Sequence, residues 1–297
     1  MMDPAKEGQT LTLPDGRKLG YLTVGEGKPV FYFHGIPSSR LDVLFLTRIA
    51  STRKLQVIGV DRPGFGLSTY KKMESLSSFA SDLNYLANNL SINKFAILGW
   101  SMGGPWAISY AAQYPEFVSK ILVVGSPSLP IETEMEGTSN TALRLGFRFP
   151  GIAKRVMRER MEIFLRADKD LTSFKLTADW RKLLDALPDA DAKFNQDESF
   201  TATMIHSNAE AYRQKELSIE AQLREMQLTL KPWDTPLSKI PADLLHIWHG
   251  TEDRNVPVDN AYLNAKRIPG STLIIFEGKG HWLLLDNLEK MADLLNS

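Results

Sequence analysis

Ser101 sits in the stretch Gly99-Trp100-Ser101-Met102-Gly103-Gly104, and its surroundings suit a nucleophile. A serine hydroxyl attacks poorly by itself, so an adjacent base must take its proton. Histidine does so near neutrality, where its ordinary pKa lies. A carboxylate completes the set by fixing the imidazole tautomer and stabilising the imidazolium. Downstream of Ser101 the chain supplies Asp253, with Glu252 beside it as a rival, and then His281. Residues of these types perform acyl transfer: attack on a carbonyl, an acyl intermediate, release by water.

The elements around Ser101 must hold it in place. Phe95-Ala96-Ile97-Leu98 reads as a short buried strand. Pro105-Trp106-Ala107-Ile108 and the residues after it read as a helix, with proline in the first turn where no backbone donor is needed. Ser101 therefore falls at a strand-to-helix turn. The turn strains the serine backbone, and the glycines at 99 and 103 avoid collisions with strand and helix. The helix N-terminus favours negative charge developing there.

Other strands bring further polar residues to the same end of a sheet. Gln9-Thr10-Leu11-Thr12-Leu13 and residues 17–24 flank the turn signal Pro14-Asp15-Gly16, as an antiparallel hairpin does. Val30-Phe31-Tyr32-Phe33 is continuously apolar and runs into His34-Gly35-Ile36-Pro37. A helix is predicted over 41–52, then the strand Leu55-Gln56-Val57-Ile58-Gly59-Val60 leads to Asp61-Arg62-Pro63-Gly64-Phe65-Gly66-Leu67-Ser68. Leu76, Phe79, Leu83, Leu86 and Leu90 keep one helical face. Strands follow at 121–124, 244–249 and 272–276, and a closing helix carries Leu284, Leu288, Met291 and Leu295. Strands alternating with helices predict a mostly parallel central sheet flanked by helices, the α/β class. Its carboxyl ends share one crevice, holding His34, Asp61, Ser101, Asp253 and His281.

Residues 126–240 break that rhythm and contain no convincing strand. Ala153, Met157, Met161 and Phe164 share one helical face, and Leu176, Trp180, Leu183 and Leu187 another. Residues 200–213 and 219–230 read as two more helices. The expected organisation is a core of 1–125 and 241–297 with 126–240 inserted as an all-helical cap.

Composition excludes several chemistries. There are no cysteines, which rules out disulfides, thiolate zinc sites, iron–sulfur clusters and a cysteine nucleophile. Lys+Arg and Asp+Glu are both 35, so no global field argues for nucleic acid. No apolar run approaches a membrane span, and residues 1–10 carry no apolar signal core, so a cytoplasmic location is expected. The glycine-rich stretches form neither Gly-x-Gly-x-x-Gly nor a P-loop, and no cofactor is expected.

The motifs at His34, Asp61, Ser101, His249-Gly250-Thr251-Glu252-Asp253-Arg254-Asn255-Val256-Pro257 and Gly280-His281-Trp282 stand in one order. With them the chain resembles an α/β-hydrolase-fold serine hydrolase carrying a helical lid. The resemblance implies a triad of Ser101, Asp253 and His281. It also implies an oxyanion hole from the backbone N–H groups of Met102 and Ile36, where each donor typically contributes about 3–4 kcal/mol in the transition state. Haloalkane dehalogenases and epoxide hydrolases of this fold carry aspartate in place of Ser101, which argues against both. The family cleaves many bonds. Hydrolysis of a carboxylic ester with a small or medium apolar acyl group is the first expectation. A lactonase, an aminopeptidase drawing on Glu132, Glu134 and Glu136, a C–C bond hydrolase, a ligand receptor and a cofactor-free oxygenase remain as alternatives.

The remaining histidines read as structural: His34 and His249 supporting turns, His246 within a strand, His206 on a cap helix. Asp61 reads as a turn residue. Arg144, Arg148, Lys154, Arg155, Arg158 and Arg160 form a basic cluster, read as a solvated face with docking of an anionic partner as the alternative. Met135, Met204, Phe147, Phe149 and Phe200 join Met157, Met161 and Phe164 in making the cap apolar.

Overall fold

A computed structural model describes residues 8–130, 149–185 and 189–297. Glu132, Glu134, Met135, Glu136, Arg144, Phe147, Arg148 and Leu187 lie outside them. The strands are β1 (Gln9–Thr12), β2 (Lys18–Val24), β3 (Lys28–Phe33), β4 (Leu55–Val60), β5 (Phe95–Trp100), β6 (Val118–Val124), β7 (Leu245–Gly250) and β8 (Thr272–Phe276). They form one sheet in the order β1-β2-β4-β3-β5-β6-β7-β8. The pairs β1–β2 and β2–β4 are antiparallel and the rest are parallel.

Both faces are covered, which explains the continuously apolar strands. Alternate residues serve opposite faces: Phe31, Phe33, Ile58, Ile97 and Val123 enter one core cluster, and Val30, Tyr32, Val57, Leu98 and Val124 the other. The first face meets α2 (Ala80–Asn89) and α3 (Gly103–Gln113) through Leu83, Leu86 and Trp106. The second meets residues 40–46 together with α1 (Thr47–Thr52), joined later in the chain by the C-terminal helices, through Leu41, Val43, Ile49 and Met291.

The helix predicted over 41–52 is a tight seven-residue helix with three residues per turn at Arg40–Leu46, followed by α1. Three residues per turn align Arg40, Val43 and Leu46, and all are buried. Between β6 and β7 the described residues hold α4 (Pro150–Lys169), α5 (Leu171–Phe174), α6 (Ala178–Asp185), α7 (Asp189–Ala192), α8 (Glu198–Glu210) and α9 (Glu216–Thr229), and no strand. Helix α8 starts ahead of the predicted Phe200 because Asp197 caps it, accepting from the N–H groups of Ser199 and Phe200. Leu176 departs from its predicted helical face: it lies in the turn before α6 and is 80% exposed. The N–H of Trp180 is capped by Thr177 Oγ1, so α6 begins after Leu176.

Met157, Met161, Phe164, Ile205, Tyr212 and Ile219 form a core of their own. Phe65 and Ile36 from the sheet loops pack into it, so this helical segment closes against the strands' carboxyl ends. The closing elements are α10 (Asp259–Arg267), α11 (Leu283–Asp286) and α12 (Leu288–Asn296).

Candidate active site

Strand β3 pairs with β4 on one side and β5 on the other, so the chain reverses direction across the sheet there. A crevice opens at such a point, outside the strand ends. The loops after β3 and β5 meet in it: a Cβ on Gly35 would stand 3.3 Å from Ser101 Cβ and 3.7 Å from its Oγ.

Ser101 has φ of +53°, a region that costs a non-glycine residue free energy and persists only when its surroundings enforce it. Here Ser101 N–H donates to Val124 O at 2.9 Å and Gly104 N–H donates to Ser101 O at 3.0 Å. The glycines leave no alternative. A Cβ on Gly99 would stand 2.9 Å from Ala107 Cβ, and one on Gly103 would collide with the Phe33 carbonyl.

Asp253 follows β7 and is buried. Its Oδ1 accepts from the N–H groups of Asn255 and Val256, both at 2.9 Å. Its Oδ2 lies 2.8 Å from His281 Nδ1 and 3.4 Å from His249 Nε2. Burial alone would raise the Asp253 pKa, but the charge of His281 and the hydrogen bonds from His249 and His281 lower it below the ordinary carboxylate value. Glu252 is exposed, and its N–H bonds the Lys279 carbonyl, so the carboxylate facing His281 is that of Asp253.

His281 follows β8. Its carbonyl accepts from Trp100 Nε1 at 3.1 Å, tying it to the Ser101 turn. Burial opposes its protonation, but the Asp253 carboxylate beside Nδ1 outweighs that, with Asp191 adding to it, and the pKa is raised above 6.5. Gly125, at φ of +54°, completes the packing: a Cβ there would stand 3.1 Å from both Asp253 Oδ2 and His281 Nδ1. The structure thus closes the Asp253–His281 pair, while no hydrogen bond joins Ser101 Oγ to His281. Catalytic contacts often tighten only when substrate arrives. The N–H groups of Ile36 and Met102 have no hydrogen-bond partner among the described residues.

The Gly35–Ile36 loop is held by Arg62. This buried guanidinium donates to His34 O at 2.5 Å and Gly35 O at 3.1 Å, and pairs with Glu225 of α9 at 2.7 Å. His34 Nδ1–H donates to Gly35 O at 2.9 Å. Burial first, then the Arg62 charge, holds the His34 pKa well below its ordinary value, so it stays neutral. Asp61 accepts from Arg40 N–H at 2.7 Å and Leu67 N–H at 2.8 Å, while Arg40 Nη1 also meets Glu210 of α8 at 2.7 Å. Both charges of the Arg62–Glu225 pair are out of water, so removing one leaves the other uncompensated. Glu225→Ala is expected to destabilise the fold by about 3–5 kcal/mol, read from denaturant unfolding.

His249 Nε2–H donates to Val256 O at 2.8 Å, and His206 Nδ1 lies 2.8 Å from Asp168 on α4. Every described member of the basic cluster has a partner. Arg158 meets Glu216 at 2.8 Å, Arg155 meets Glu159 at 3.0 Å, Lys154 meets Glu220, and Arg160 lies 5.7 Å from the Phe164 ring centroid. No described helix is long and apolar enough to cross a membrane.

Glu225, Gly125 and Asp191 were not evident in the sequence. Glu225 lies 163 positions from Arg62, and no local pattern joins them. Gly125, directly after an apolar strand, carried a turn signal but no chemical one.

The alpha/beta hydrolase fold family model matches residues 28–288. The chain belongs to that family, and with it to the hydrolases. A 2-hydroxy-6-oxononadienedioate/2-hydroxy-6-oxononatrienedioate hydrolase from Pseudomonas putida is 29% identical over 240 residues, covering 76% of this chain and 71% of that one. An esterase from Exiguobacterium antarcticum superposes with a TM-score of 0.60 at 21% identity, over 97% of this chain and 98% of that one. A thermophilic esterase from Thermogutta terrifontis superposes with a TM-score of 0.62 at 19% identity, over 97% and 96%.

Proposed function

We propose that the protein hydrolyses carboxylic esters through an acyl-enzyme on Ser101. The observation that carries this is Ser101 at φ of +53° ahead of α3, next to Trp100, whose indole bonds the carbonyl of the Asp253-paired His281. His281 Nε2 takes the hydroxyl proton as Oγ bonds the carbonyl carbon, and the N–H groups of Ile36 and Met102 receive the oxyanion. His281 then protonates the departing alkoxide. Water, deprotonated by the same nitrogen, releases the acid and restores Ser101. The core comprises 1–125 and 241–297, and 126–240 acts as a lid whose apolar side chains size the acyl pocket.

The base must be neutral to act. Because Asp253 raises the His281 pKa above 6.5, kcat/KM is expected to climb with pH along a limb whose midpoint lies above 6.5. A limb centred lower would mean that the Asp253 charge does not reach the imidazole.

The second reading is C–C bond hydrolysis, favoured by the Pseudomonas putida relative, whose name describes a dioate substrate. A dicarboxylate calls for cationic partners. Arg62, the cation touching the Gly35 loop, is already neutralised by Glu225, which supports the uncharged ester. Steady-state rates on p-nitrophenyl esters of increasing acyl length, a lactone series, aminoacyl amides and a 2-hydroxy-6-oxo-dienoate test this. The expected result is highest kcat/KM on a short or medium ester. Turnover of the dienoate alone would overturn it.

A further inference from the structure

We propose that Asp191, on helix α7 of the segment between β6 and β7, is a positioning residue for His281. The inference rests on His281 being the base. The Asp191 side chain is buried, and both its oxygens are committed. Oδ2 accepts from His281 N–H at 2.8 Å and Oδ1 from Trp282 N–H at 3.0 Å. Gly280 makes the approach possible, since a Cβ there would collide with both oxygens.

The contact fixes the backbone from which the imidazole projects. His281 is held at three points from three elements: its N–H by Asp191, its carbonyl by Trp100 Nε1 at 3.1 Å, and its Nδ1 by Asp253 at 2.8 Å. With N–H and C=O both bound, the His281 backbone is anchored, and the Asp253 bond at Nδ1 sets the ring orientation on it. The junction is tied a second time. Lys193, next after α7, bonds Asp286 at 2.5 Å, and Lys279 bonds the same carboxylate at 3.0 Å. Phe200 of α8 packs edge-on to Trp282 with centroids 4.8 Å apart.

Asp191 also places a second buried negative charge beside the site where positive charge forms. The charged groups that bear on His281 are Asp253 from the β7 loop and Asp191 from α7. His249 acts through Asp253, and Lys279 is engaged by Asp286. Burial costs a carboxylate several kcal/mol unless strong donors compensate it, and here two backbone N–H groups do so. The segment carrying Asp191 therefore takes part in the reaction geometry as well as covering it.

The test is Asp191→Asn, which keeps the shape, loses the charge and turns one acceptor into a donor. Its kcat is expected to fall about tenfold or more with KM little changed, since small displacements of a reacting group are costly. The acid limb of kcat/KM is expected to move toward lower pH, because a negative charge has left the imidazolium. A merely structural contact would not move that limb. Should this variant not fold, Gly280→Ala is read instead: it pushes the carboxylate away and is expected to lower kcat and move the limb in the same direction. Wild-type kcat and an unmoved limb in the folded variant would overturn the proposal. Fluorophosphonate labelling of Ser101 in the same samples separates the cases: label without any effect of Asp191 overturns this inference alone, whereas absent label overturns the triad.

Discussion

Ser101→Ala is expected to lose about 10⁴-fold or more in kcat/KM on every ester the wild type cleaves, with its unfolding midpoint almost unchanged. The two halves of that expectation have separate origins. Ser101 Oγ bonds no described residue, so removing it leaves no buried donor or acceptor unpaired. The strain at φ of +53° is borne by the bonds to Val124 and Gly104, which are backbone bonds and survive the change. Stability therefore stays, while the atom that forms the acyl bond is gone. Residual activity above about one per cent of wild type would place the nucleophile elsewhere.

Asp253→Asn is expected to cost about 10⁴-fold in kcat. The amide fits the same space, and its oxygen still accepts from Asn255 and Val256. Its NH₂ then points at His281 Nδ1, now 2.8 Å from a donor instead of an acceptor. The imidazole must present a lone pair at Nδ1 and carry its proton on Nε2, the nitrogen that has to receive the serine proton. Glu252→Gln, by contrast, is expected to leave kcat within about twofold, since an exposed surface substitution seldom matters. Steady-state kinetics of the two variants side by side discriminate the carboxylates. A large loss in the Glu252 variant with little in the Asp253 variant would reverse the assignment.

The sheet was legible because strand signals are local. Val30 to Phe33 and Phe95 to Leu98 are continuously apolar because both faces are covered, and the turns that follow them carry glycine and proline. The placement of Ser101, Asp253 and His281 at strand ends was legible for a related reason: each follows a parallel strand, and parallel strands end on one side. The helical segment was less so. Leu176 satisfied the periodicity of α6, yet the Thr177 cap starts the helix two residues later, and caps compete with periodicity on equal terms. Nothing local in the sequence marks Asp191, Glu210 and Glu225. Their partners, the His281 backbone, Arg40 and Arg62, lie 90, 170 and 163 positions away, and only the packed structure brings them together.

Treatment of the protein with a fluorophosphonate, followed by peptide mapping, reports on the central claim most directly. An activated serine displaces fluoride and keeps the phosphonyl group on Oγ. The expected result is one adduct per chain, on the peptide containing Ser101, formed at a rate that collapses in His281→Ala. An adduct on a different residue, or none at concentrations that label other serine hydrolases, would contradict the assignment of Ser101 as the nucleophile.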